Sequence, residues 1–169
     1  MNYRPTAAWF LAAACMAASA IAHASAGPLP EHEWTPTART WAARVCFAEA
    51  SWRYDDCSAL LYVVTRRWEQ AGGAWLDMLK RYAAVGNPST ERQHRIALYP
   101  WGDVPGWPRA HNRRWAELRA YVVAWGAGKV PDPCPTAVHW GSPTDRAPTG
   151  TVLARCSVVT ANVFYARAE

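Results

Sequence analysis

The number and spacing of the cysteines constrain this chain's fold more than any other feature. There are five, and Cys15 lies in residues 1–26, which read as a secretory signal peptide. Arg4 supplies the positive start, Trp9 to Ala22 an apolar stretch, and Ala24 and Ala26 the small residues of a cleavage site. A membrane anchor, or a lipid on Cys15, are the competing readings; the stretch is short and Ala-weighted for either. Cleavage near Gly27 leaves Cys46, Cys57, Cys134 and Cys156, an even set bound for the periplasm or the exterior. Four cysteines allow three pairings. Cys46–Cys57 and Cys134–Cys156 each close a short local loop, worth roughly 3 kcal/mol apiece on a chain-entropy argument. No C-x-x-C pair is present, which argues against zinc, and no metal or other cofactor is expected.

The chain's 169 residues suit one domain, here 35–169, after a Pro-rich and polar lead-in at 27–34 that reads as flexible. A hydrophobic share of 51% with 18% charged residues excludes a disordered polyampholyte. Past the N-terminus no apolar run is long enough to span a membrane. Without Arg4 the charge balance is 17 basic against 13 acidic, or +4, and only Lys80 and Lys129 among the bases are lysines. In an exported chain, such Arg-driven basicity suits an anionic envelope polymer rather than nucleic acid; plain solubility is the other reading.

Gly and Pro punctuate four predicted helices. The first spans Pro36 to Ala50, with Thr35 as cap and Pro36 in the first turn. The second starts at Asp55 or Asp56, either able to cap, and ends before Gly72-Gly73. The third runs from Trp75 to Ala84, with Leu76, Leu79 and Tyr82 inward, and is stopped by Gly86. Residues 87–110 read as a long ordered loop. The fourth helix starts near Arg113, capped by Asn112, and ends at Trp125. Alternation near Ala137 to Trp140 and Val152 to Val159 allows short strands, and Thr160 to Tyr165 is expected to dock on the body. The fold class is therefore mainly α, with a short strand-containing tail.

Three groups of residues can carry chemistry. Glu49 ends the first helix among Phe47, Ala48, Ala50 and Trp52. The helix dipole and apolar neighbours both disfavour its anion, which suits a general acid at neutral pH. A Cys46–Cys57 bridge would hold that turn rigid. The plain alternative is a surface Glu near a helix end. Among the tryptophans, Trp41, Trp68, Trp115 and Trp125 fall on helical apolar stripes. Trp101, Trp107 and Trp140 sit beside Gly or Pro and are the candidates for a sugar-binding groove. His139, Asp145 and Asn162 are polar groups among aromatics that can orient a substrate or a water; equally, they read as a core histidine, a turn former and a cap.

Three patches in order resemble the SleB-like cell wall hydrolases of the lysozyme-like superfamily. "CFAEASWRYDDCSALLYVVTRRW" is similar to the family's opening, with Glu49 on its first glutamate, Val63 and Val64 on its Val pair, and Arg67 on its arginine. "VVAWGAGKVPDPCPTAVHW" resembles the family's helix, Gly, Pro-Asp-Pro and Ala-led strand, and "TANVFYA" its closing segment. Arg53 stands where the family often has a second glutamate, Arg66 where it has Asn, and Asn162 where it often has His. The resemblance implies a lysozyme-like domain that cleaves peptidoglycan glycan strands, as a lytic transglycosylase or muramidase, with Glu49 as acid and then base. Tyr62 and Asn162 would position the sugar. The alternatives are a non-catalytic glycan- or partner-binding module on the same fold, and a secreted inhibitor or effector.

Overall fold

The computed structural model describes residues 28–50, 52–158 and 160–168; the proposed signal peptide lies outside the described residues. Among the described residues, five helices and a 3-10 turn precede a small antiparallel sheet. The helices are α1 (Pro36–Ala50), α2 (Tyr54–Ala71), α3 (Trp75–Tyr82), α4 (Glu91–Ala97) and α5 (Arg109–Gly126), with the 3-10 turn at Ala84–Gly86. The strands are β1 (His139–Gly141), β2 (Thr151–Leu153) and β3 (Val163–Arg167), in the order β1-β3-β2. No described helix is long and apolar enough to cross a membrane.

Local chemistry fixes most helix ends. The amide of Ala38 donates to Thr35 Oγ1 at 3.1 Å, so Thr35 caps α1 as expected. Gly72, at φ 72°, takes a positive-φ conformation open to glycine that ends α2, and its amide bonds Trp68 O. Three expectations are corrected. Neither Asp55 nor Asp56 caps α2; Arg53 holds that position without a side-chain bond. Residues 87–110 are not all loop: Thr90 and Gln93 form a reciprocal capping box that starts α4. The last helix starts at Arg109 after Pro108, four residues early, because Asn112 turns its side chain back to Val104 and Trp107 instead of capping.

The core is a pile of indoles and aliphatic side chains between α1, α2, α3 and α5. Trp75, Trp115 and Trp125 are fully buried, and Trp34 meets Trp75 and Trp125 edge-on at 5.8 and 5.3 Å. Leu29 and Trp34, in the stretch read as a lead-in, are both buried. Gly126 is required where α5 passes Trp34, since a Cβ there would lie 2.1 Å from the indole.

Both expected disulfides are present, Cys46–Cys57 and Cys134–Cys156. The first joins the end of α1 to the start of α2. The second closes the segment that leads into and out of β1 and β2. That segment is also tied to α2 by two arginines. Arg66 donates to the Ala137 and Cys134 carbonyls and pairs with Asp132, and Arg67 donates to Val138 O. The 160–165 stretch does dock, as β3, pairing His139 with Tyr165 and Leu153 with Tyr165 on its two edges.

Candidate active site

Glu49 opens onto a groove of about 700 Å³ between the end of α1, the α3 to 3-10 junction, and the β1 edge. One Glu49 oxygen accepts the Ala84 amide at 2.9 Å. Burial pushes the carboxyl above its ordinary range, against the opposing pull of the Ala84 amide, the Trp140 side chain and the more distant Arg92. A carboxyl so placed stays protonated to higher pH than a free one, and can give its proton to a leaving oxygen.

The tail reaches the Glu49 turn through Asp56 and Asn162. Asp56 is fully buried, and its carboxylate accepts the amides of Ala161 at 3.0 Å and Asn162 at 3.2 Å. Burial raises the Asp56 carboxyl, while these two amides hold it back. So the acid that looks like a helix cap in the sequence serves as a long-range clamp. Asn162, fixed there, donates its side-chain amide to the Glu49 carbonyl at 3.0 Å. Chain positions more than a hundred residues apart thereby meet at the last turn of α1, with the Cys46–Cys57 bridge beneath them.

The opposite wall carries His139 and Trp140 from β1. Arg67 hydrogen-bonds His139 Nδ1, which places the ring proton on Nε2. Burial, with Arg67 and Arg167 nearby, lowers the His139 pKa, so the ring is neutral at neutral pH and Nε2–H is a donor. Tyr82, expected in the core, is 43% exposed and stacks its ring on the Arg67 guanidinium at 4.0 Å. Asp145 also lines the groove, where its Oδ2 accepts the Ser142 amide at 2.7 Å.

Of the residues singled out from the sequence, Glu49, Arg67, His139, Trp140, Asp145 and Asn162 converge on this groove. Tyr62, Trp101 and Trp107 do not line it. Tyr62 donates its hydroxyl to Val130 O at 2.7 Å and packs on Trp125, because its place on α2 faces α5. Trp107 lines a separate depression with Tyr99 and Leu98, and Trp101 lies beneath Arg119. Arg81, Tyr82 and Asn87 are groove residues that the reading missed as such. Tyr82 occupies a core-spaced helical position, so the spacing concealed it. Among the described residues, no three His, Cys, Asp or Glu side chains cluster to hold a metal. Comparison of the chain with family models, with curated proteins and with solved structures returns no match.

Proposed function

We propose that this protein is an exported, lysozyme-like enzyme that cleaves the glycan strands of peptidoglycan, with Glu49 as general acid and then base. The observation that carries the reading is a half-buried carboxyl, raised by desolvation, on the wall of an open groove. Cleavage of a glycosidic bond passes through an oxocarbenium-like state and needs a proton on the departing oxygen. Glu49 supplies it. In the transglycosylase course the muramic 6-hydroxyl then gives its proton to the same carboxylate while its oxygen bonds the anomeric carbon, and an anhydro end results. Trp140 offers an apolar face to a sugar ring, and His139 Nε2–H a donor.

Asp145, the other acid on the groove wall, supports a second course. As a base it would activate a water, and the product would carry a reducing end instead. Digestion of purified peptidoglycan with the full chain and with Glu49→Gln tests the proposal. Release of muropeptides is expected to fall at least roughly a hundredfold in the variant, the scale of a lost general acid. Equal release would remove Glu49 from the mechanism, and binding without release by either protein would favour the non-catalytic module.

A further inference from the structure

One corner of the groove has a charge that its own residues leave unanswered. Arg67 donates Nε to Val138 O and Nη2 to His139, and its face rests on Tyr82. These contacts fix the guanidinium plane, yet none of them is an ion pair. Among the described residues neither Arg67 nor Arg81 makes a salt bridge, and both line the groove. Arg67 is half-buried, so water compensates it only in part. Asp145, beside the end of β1, accepts the Ser142 amide and makes no salt bridge. With Val138, His139 and the Tyr82 side chain engaged, Arg67 keeps further N–H donors of its five, and the His139 Nε2–H is a donor beside them.

We infer that the corner built by Arg67, Arg81 and His139 binds a carboxylate carried by the sugar strand, so that the substrate class is an acidic glycan and not a neutral one. The inference rests on the reading of the groove as a glycan cleft. A guanidinium held in plane matches a carboxylate's two oxygens, and a neutral imidazole N–H adds a third donor. Arg81, which is exposed, adds attraction at longer range. In peptidoglycan this chemistry has two sources, the lactyl carboxyl of an unsubstituted muramic residue and the carboxylates of the stem peptide.

Calorimetry on the full chain carrying Glu49→Gln separates binding from turnover. Four ligands are compared: peptide-free strands, the same strands with their carboxyls converted to amides, neutral N-acetylglucosamine oligomers, and isolated stem peptides. Acidic strands are expected to bind at least about tenfold more tightly than the amidated or neutral ones, the scale of one charge-assisted bidentate contact. Preference for the peptide-free strand would identify the lactyl carboxyl, and binding of the isolated stem the peptide. Adding Arg67→Gln should erase the preference. Arg81→Gln, at an exposed position and safe for folding, should reduce it about threefold by loss of one nearby charge. Equal binding of acidic and amidated strands, together with no binding of the isolated stem, overturns the inference. Digestion by the unaltered chain reports separately on cleavage. Cleavage without discrimination refutes the carboxylate subsite alone, and discrimination without cleavage refutes the enzyme reading alone.

Discussion

Removing the Cys46–Cys57 bridge by a double substitution to Ala should cost both stability and activity, in a ratio that distinguishes it from the other bridge. The two cysteines are 11 residues apart, and the chain-entropy relation then gives roughly 2.8 kcal/mol; the 22-residue separation of Cys134 and Cys156 gives roughly 3.4 kcal/mol. Cys46 and Cys57 are fully buried, so the two lost sulfurs leave a void that adds about 1 kcal/mol. The total is about 4 kcal/mol, large beside the 5–15 kcal/mol of an ordinary domain. Urea unfolding at equilibrium measures it. Activity separates the two bridges. Cys46 is one helical turn before Glu49, whereas neither Cys134 nor Cys156 lines the groove. At a temperature where both double variants stay folded, the Cys46/Cys57 variant should lose most of its peptidoglycan release and the Cys134/Cys156 variant much less. A stability loss under about 1 kcal/mol would refute the restraint argument. Equal activity losses in the two would refute the claim that the first bridge holds the Glu49 turn.

Three further outcomes follow from the same contacts. Gly126→Ala pushes a methyl into the Trp34 indole at 2.1 Å; overpacking of about 1–3 kcal/mol exceeds the roughly 1 kcal/mol gained in helix propensity, so thermal unfolding should shift down. Asp56→Asn can point an amide donor at the Ala161 and Asn162 amides; a loss of about 2 kcal/mol and faster proteolysis of the C-terminal segment are expected. Glu49→Gln keeps an acceptor for Ala84 and removes the titration. Because the folded-state pKa of Glu49 is raised, its favourable contribution is complete below the unfolded value and lost as pH rises through the folded one. The stability of the variant relative to the unaltered protein should therefore climb with pH over that window and then level off. A flat difference from acid to neutral pH would mean that Glu49 titrates like a free side chain.

Much of this fold is written in short-range chemistry. Thr35-Pro36 starts α1 and Gly72 stops α2 through contacts within a few residues, and both ends fall where the sequence places them. The two disulfides likewise follow from loops short enough to close locally. The Thr90–Gln93 capping box was also legible, but Pro and Gly on both sides of α4 gave the stretch the look of a loop. What local pattern does not carry is the partner of a side chain far along the chain. Asp56 has the composition of a cap and the partners of a clamp, 105 residues away. Arg66 and Arg67 find their carbonyl partners only when the tail folds back over them. Tyr82 keeps core spacing on a helix whose last turn faces the groove. Glu49, Trp140, His139 and Asn162 were separable from the background because each is a polar or aromatic group out of step with its neighbours; their convergence required the three-stranded sheet.

The central claim concerns one proton, and the products of digestion show whether it moves. Purified peptidoglycan treated with the unaltered chain should yield new glycan ends in the mass spectrum, anhydro-muramyl for the transglycosylase course or reducing for the hydrolytic one, and Glu49→Gln should yield almost none. Intact strands after treatment with folded, unaltered protein, or identical new ends from both proteins, would contradict the account.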